Sequence, residues 1–234
     1  GMEAAVKAII AAIGLQQKIT NFADYDVDGG TSAAILTQWF NAIGVQTNIF
    51  VPDRIKHGYG PSPALMRGIK DAGTDLLISV DCGAAAHDAL VAAHEIGLDV
   101  VVFDHHLMIG NAPIAKAIVN PNQIGDNSGL GNLTAAGVCF MAAVALNRAW
   151  RELGRDTGGF DALSLLDLAA LGTICDVAPL TGLNRVLVAQ GQKILGKQSR
   201  KGLAALAQVA GLKRADNVYA AAWVLGRLIN AGGR

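Results

Sequence analysis

The run Asp24-Tyr25-Asp26-Val27-Asp28-Gly29-Gly30-Thr31-Ser32 sets three carboxylates within five residues at the end of an apolar stretch. Such groups repel one another unless a cation joins them, so the run limits sharply what the chain can build. In extended backbone, side chains at i, i+2 and i+4 share one face, and Asp24, Asp26 and Asp28 are expected to project together from a strand end. Gly29 and Gly30 then let the backbone turn, and Thr31 or Ser32 is expected to cap a helix through Ala33-Ala34-Ile35-Leu36. The amides opening that helix would favour an anion such as phosphate. A D-x-D-x-D-G run also opens a calcium-binding EF-hand loop. That loop needs a bidentate Glu at its position 12, here Ile35, and a helix leading into it, so it fits poorly.

Read in order, the chain alternates helix and strand. An Ala-rich helix is expected over 3–13, a strand over 18–23, the capped helix to Ala42, and an alternating strand over 45–51 before Pro52. His57-Gly58-Tyr59-Gly60 reads as a loop, and Ser62-Pro63 as the start of a helix. The continuous apolar run Asp75 to Val80 has the character of a strand buried on both faces of a parallel sheet. It ends at Asp81. Strands over 99–103 and 117–119 end at Asp104-His105-His106 and Asn120-Pro121, and the remainder is helical: 134–153, 161–171, 183–195, 202–209 and 215–229. This order predicts an α/β fold, a doubly wound, mainly parallel sheet flanked by helices, followed by a helical C-terminal part. In such sheets functional groups gather beyond the carboxyl ends of the strands. The clusters at Asp24 to Asp28, at Asp81 and at Asp104 to His106 each follow an apolar strand, so one sheet edge should collect all three. Asp176 follows an apolar helix that Pro179 is expected to stop, and if buried it needs a partner such as a metal.

Composition narrows the chemistry. The 234 residues are 52% hydrophobic and 16% charged, which suits a well-buried globular chain. No apolar run approaches the roughly 18–20 residues that span a bilayer and no signal peptide is evident, so a cytoplasmic location is expected. Cys82, Cys139 and Cys175 lack C-x-x-C spacing, against a disulfide frame or zinc ribbon. The net charge of zero hides an asymmetry: Arg185 to Arg234 carries nine Lys or Arg and one acid, Asp216. An acidic metal site beside a basic surface suits a polyanionic substrate. Neither a G-x-S-x-G elbow nor a G-x-x-x-x-G-K-[ST] loop is present.

Carboxylates with one or two imidazoles favour Mn²⁺ or Mg²⁺, with histidine tilting the choice to Mn²⁺. Two such ions can activate water for attack on a phosphoester without a protein nucleophile. Of His105 and His106, one is expected on metal and the other on phosphate, with Asp104 orienting the ligating imidazole. His57 is a candidate for touching substrate from its glycine loop, whereas His87 and His94 read as surface or packing residues.

Together these motifs resemble the DHH phosphoesterase superfamily, and within it the RecJ-type single-strand-specific exonucleases. Asp24 to Gly29 is similar to the first motif, Val80-Asp81-Cys82-Gly83 to the second, Asp104-His105-His106 to the third and Asp176 to Leu180 to the fourth. Further matches are His57 to Gly60, Val119-Asn120-Pro121, Ala135 to Val138 and Ile229 to Arg234. The resemblance implies metal ligation by Asp24, Asp26, Asp28, Asp81, His105 and Asp176, with Asp81 bridging two ions and His106 on the scissile phosphate. It also implies substrate contacts from His57, Asn230 and Arg234. The activity it implies is 5′-to-3′ removal of nucleotides from single-stranded DNA in repair and recombination, with repair or replication proteins as unidentified partners. Residues 1–182 would form the catalytic domain, with a parallel core near 15–121 and a helical part over 134–182. Residues 183–234 would be a basic connector towards a second domain absent from this chain. The family has G-P-R-I-N where this chain has Gly226-Arg227-Leu228-Ile229-Asn230. A phosphoesterase for short oligonucleotides, cyclic dinucleotides or pyrophosphate, and a non-catalytic scaffold, are the alternative readings.

Overall fold

The computed structural model describes residues 1–232. Five strands, β1 (Ile19–Ala23), β2 (Asn48–Phe50), β3 (Leu76–Val80), β4 (Asp99–Phe103) and β5 (Ala117–Val119), form one sheet in the order β2-β1-β3-β4-β5. Every neighbouring pair is parallel. β1 and β3 are buried along their whole length, with the polar Thr20, Asn21 and Ser79 buried among apolar neighbours. Alternate side chains enter opposite layers. Ile19, Leu76, Ile78, Val80, Val101 and Phe103 pack under α1 (Met2–Gly14), α2 (Val27–Ala42) and α6 (Ala135–Glu152). Phe22, Leu77, Val100 and Val102 pack against α4 (Pro63–Asp71) and α5 (His87–Glu95) on the other face. The doubly wound α/β expectation is met.

Several boundaries differ from expectation. α2 begins at Val27, capped by Asp26, whose carboxylate accepts from Gly29 N at 3.0 Å. Thr31 and Ser32 lie within the helix, and Gly29 and Gly30 do not turn. Gly29 is needed for space instead, because a Cβ there would strike the Asp24 backbone. β2 is shorter than predicted and exposed at the sheet edge. After the short α3 (Arg54–His57), the chain reaches α4, which Ser62 caps as expected.

The C-terminal part packs on the sheet layer through α7 (Leu166–Cys175), entered by a 3-10 turn over Ala162–Leu165. α7 is buried from Leu166 to Ile174, as a helix with apolar residues all round should be. It lies against α2 and α6 on one side and α8 (Gly182–Leu195) on the other. α9 (Lys201–Val209) is followed by a continuous helical stretch over 218–232, π-wound over Ala220–Gly226 and ending as α10 (Arg227–Gly232), so the helix expected over 215–229 is present but starts three residues later and is widened at its centre. Part of the basic tail is structural: Arg200 grips the buried Asp167 through Nε and Nη2, at 2.8 and 2.9 Å.

Two glycines report on this packing. A Cβ on Gly172 would stand 2.5 Å from Ala136 Cβ and Thr31 Oγ1 and 2.7 Å from Asp28 Oδ1, whereas one on Gly30 meets nothing within 4 Å. Gly172→Ala is expected to cost about 1–3 kcal/mol through overpacking. Gly30→Ala should gain about 0.5–1 kcal/mol of helix stability. Urea denaturation of both variants checks the pair of signs.

Candidate metal centre

The sheet ends level. Ala23 pairs with Val80, Val80 with Phe103 and Phe103 with Val119, so the next residues, Asp24, Asp81, Asp104 and Asn120, emerge side by side. The row is held one step further by Asp24 N to Val80 O, Asp81 N to Phe103 O and Asp104 N to Val119 O, at 3.3, 3.0 and 3.1 Å. The expected gathering of polar clusters at one edge therefore has a definite cause in the strand register.

The first aspartate run is arranged differently from the strand-face expectation. Only Asp24 continues β1, Asp26 caps α2, and Asp28 sits in the first turn of α2. From there Asp28 reaches the N-terminus of α6, accepting from Ala135 N at 2.8 Å and Ala136 N at 2.9 Å. The anion at that helix start is thus a side chain of the protein itself. Asp81 adopts φ +60°, a left-handed conformation that Asp tolerates. His105 Nε2 lies 3.3 Å from Asp81 Oδ1, 3.6 Å from Asp28 Oδ2 and 3.9 Å from Asp176 Oδ2. Asp176 caps the C-terminus of α7 at the open rim, with the chain turning away at Val177 before Pro179 is reached.

Three groups that could hold a metal ion result, each with its N or O atoms within 4.8 Å of one another: Asp28, His105 and Asp176; Asp24, Asp26 and Asp81; and Asp81, His105 and His106. Asp81 and His105 each belong to two of them. Asp24 Oδ1, Asp81 Oδ1 and His105 Nε2 are buried without any hydrogen-bond partner. Among the described residues, no Lys or Arg pairs with Asp24, Asp26, Asp28, Asp81 or Asp176. Orphaned buried donors of this kind, mostly oxygen with imidazole, fit a hard divalent cation.

The electrostatics show the same deficit of positive charge. Burial pushes Asp24 up to about 6 and Asp28 up to about 7, the latter against the pull of the Ala136 and Ala135 amides. Asp81 rises well above the carboxylate range, from burial first and then the Asp28 and Asp26 charges, and burial also raises Asp176. Burial lowers His105. Asp104 behaves oppositely: burial opposes its charge, but the His106 imidazole and the Ala84 amide outweigh it and hold the carboxyl below its ordinary value. Its partner His106 is raised, chiefly by the 2.7 Å bond from Nδ1 to Asp104 Oδ1.

That bond corrects one expectation: the imidazole that Asp104 orients is His106, whereas His105 has its nitrogen among the other carboxylates. His57 is not brought to the cluster. Its Nδ1 accepts from Asp53 N at 2.9 Å on the exposed α3 turn. Tyr59, two residues on, takes the place instead, its hydroxyl 3.3 Å from His106 Nε2. Positive φ angles at Gly58 and Gly60 turn the chain on either side of it. Those flanking glycines are the sequence signal for Tyr59, since they allow the loop to present the residue between them. Asn230 Oδ1 accepts from Val27 N at 3.2 Å, which sets α10 beside the first motif. Arg234 lies outside the described residues.

A carboxyl whose folded pKa exceeds its unfolded value stabilises the fold below the unfolded pKa and loses that contribution as pH rises through the folded one. Without divalent cations, Asp24 and Asp28 should therefore lower stability as pH rises from about 4, the ordinary Asp value, to about 7. Thermal melts in EDTA across that window check this. The decline should be shallower in Asp28→Asn, and Mn²⁺ should reverse it in the unmutated chain at pH 7.5.

Several RecJ proteins are similar to this chain. The single-stranded-DNA-specific exonuclease RecJ of Bacillus subtilis (strain 168) is 40% identical over 212 residues, covering 90% of this chain and 25% of that protein. RecJ of Escherichia coli (strain K12) is 36% identical over 246 residues, covering 100% of this chain and 42% of that one. The chain thus spans less than half the length of these relatives. Among solved structures, exonuclease RecJ bound to manganese superposes with a TM-score of 0.86 at 33% identity, over 100% of this chain and 57% of that chain. RecJ in complex with Mn²⁺ from Thermus thermophilus gives 0.79 at 31% identity, over 99% and 32%. Residues 18–173 match the DHH family, N-terminal domain, and the chain belongs to that family.

Proposed function

We propose that this chain is the catalytic part of a metal-dependent exonuclease that hydrolyses single-stranded DNA, with the 5′-to-3′ direction implied by the RecJ resemblance. The observation that carries the reading is the level edge of the sheet, where Asp24, Asp81 and Asp104 meet Asp28, His105 and Asp176 with three buried donor atoms unpaired. The relatives are named single-stranded-DNA-specific exonucleases, and solved RecJ structures hold Mn²⁺ or Mg²⁺. On this reading residues 1–182 form the catalytic unit and 183–234 the basic connector. No helix of the described residues is long and apolar enough to cross a membrane.

Asp28, Asp81, His105 and Asp176 would hold one Mn²⁺ or Mg²⁺, and Asp24, Asp26 and Asp81 a second, with Asp81 common to both. Ions bound there supply a water of lowered pKa and positive charge for the phosphoryl oxygens. The remaining work falls to the protein. The Ala135 and Ala136 amides keep Asp28 turned into the site, which restricts the geometry a cation can take. Asp104 binds Nδ1 of His106 and favours the protonated ring, leaving Nε2 at the exposed side of the cluster. There His106 and the Tyr59 hydroxyl form a donor pair for a phosphate oxygen, where charge grows during hydrolysis. The Tyr59 ring stands edge-on to Tyr25 at 6.4 Å, and Arg54 lies 5.5 Å from the Tyr25 ring centre, so aromatic and cationic groups border the same rim.

Nuclease assays with Mn²⁺ on 5′-labelled single-stranded and duplex DNA test the reading, with Mn²⁺ binding followed by calorimetry in parallel. Mononucleotide release from the single strand is expected, lost in Asp81→Asn and reduced about 10²–10³-fold in His106→Ala. Full activity in Asp81→Asn would exclude this mechanism. Tight Mn²⁺ binding without cleavage of any DNA, but with cleavage of dinucleotides or pyrophosphate, would keep the centre and replace the substrate.

A further inference from the structure

Three consecutive peptide planes run through the two site histidines, and side chains bond to each of them. Asp104 Oδ1 accepts from His105 N at 2.7 Å and from His106 N at 3.2 Å. On the carbonyl side, Asn122 Nδ2 donates to His105 O at 2.6 Å and Asn120 Nδ2 donates to His106 O at 2.9 Å. A peptide unit is planar, so a residue's backbone has only φ and ψ to vary. The Cα of His105 lies between two planes that are both pinned, and so does the Cα of His106. The direction in which each imidazole leaves the backbone is thereby fixed.

The asparagines are themselves tied together and to the ligands. Asn122 N donates to Asn120 Oδ1 at 2.8 Å, and Asn122 Nδ2 also donates to Gly131 O at 2.9 Å. From Gly131 the chain runs directly into Ala135 and Ala136, the amides that hold Asp28. One segment, 120–136, therefore sets both His105 and Asp28, whose ligand atoms stand 3.6 Å apart. We propose that Asn120 and Asn122 are positioning residues of the metal centre: they clamp the backbone of His105 and His106 so that His105 Nε2 meets the carboxylates of Asp28, Asp81 and Asp176. The proposal rests on the metal-centre reading given above. A loop asparagine that merely stabilised the fold would show no dependence of the centre on it.

Two variants of the full chain test this. Asn122→Asp keeps size and shape but sets an acceptor against the carbonyls of His105 and Gly131. Gly131→Ala leaves Asn122 chemically intact, yet a Cβ there would stand 2.7 Å from Asn122 Oδ1, at the end of a side chain that can move, so the amide must shift. Calorimetry should show Mn²⁺ affinity weakened about 10–100-fold in both, the range for loss of a group that orients a ligand. In the metal-free proteins, the imidazole ¹⁵N resonances of His105 should move in both, while the backbone spectrum of α4 and α5 stays in place. Unchanged Mn²⁺ affinity and unchanged His105 resonances in both variants would overturn the proposal, even were their melting temperatures lowered. If the unmutated chain bound no Mn²⁺, the metal-centre reading would fall, and the metal-free imidazole spectra would still decide whether the clamp holds.

Discussion

Everything at the functional edge depends on the register that sets Ala23, Val80, Phe103 and Val119 in one row. Side chains alternate along a strand, so a slip of one residue would reverse the apolar alternation of that strand between the two layers and move its terminal polar residue out of line. The hydrophobic layers therefore enforce the position of Asp24, Asp81 and Asp104. Burial of Phe22, Leu77, Val100 and Val102 on one face and of Ile78, Val80 and Phe103 on the other leaves a single register satisfying both. The chemistry at the edge inherits its precision from packing well below it.

The same packing explains how the carboxylates coexist. Burial disfavours the charge on Asp28, and the two backbone amides of Ala135 and Ala136 offset part of that cost, as the Ala84 amide does for Asp104. Backbone dipoles of this kind stabilise an anion without adding a full positive charge that would repel a cation. A Lys or Arg in their place would neutralise the cluster and close it to a divalent ion. The charge pairing the chain does use lies elsewhere, as in Arg200 on Asp167 at the opposite end of α7 from Asp176. Gly172, where α7 passes α2 and α6, allows these three helices to come close enough for Asp28 and Asp176 to share His105.

How legible all this is in the sequence depends on how local each cause is. β3 and β4 are readable because buried parallel strands are written as near-continuous apolar runs, and Asp81 and Asp104 are placed by the simple fact of following them. The aspartate run misleads because period-two reasoning holds only while the backbone stays extended, and β1 stops at Ala23. What turns Asp28 is a pair of amides 107 and 108 residues away, which no local pattern can encode. The glycine loop is recognisable, but imidazole chemistry draws attention to His57, whose ring is taken by its own helical turn. Asn120 is visible as part of a motif, without a role, because its partners include main-chain groups that any sequence supplies.

Strain marks the same places. Asp81 and Val177 both hold left-handed backbone, φ +60° and +58°, immediately at or after a proposed ligand. For Asp the conformation is tolerable, because its short polar side chain can bond locally, but for a β-branched residue it is a genuine outlier costing about 1–2 kcal/mol. Val177 is exposed, so its side chain gains nothing from burial that would offset this. The turn at Val177 ends α7 immediately after Asp176, so the following chain leaves the helix axis there. Ending the helix there, with Asp176 as its cap, leaves the carboxylate on the rim where the Asp28 and His105 donors converge. Backbone strain and an unpaired buried polar atom coincide at Asp81 as they do at Gln198, and what separates this centre is that further unpaired atoms, Asp24 Oδ1 and His105 Nε2, stand around Asp81, each in a group with it that could hold an ion.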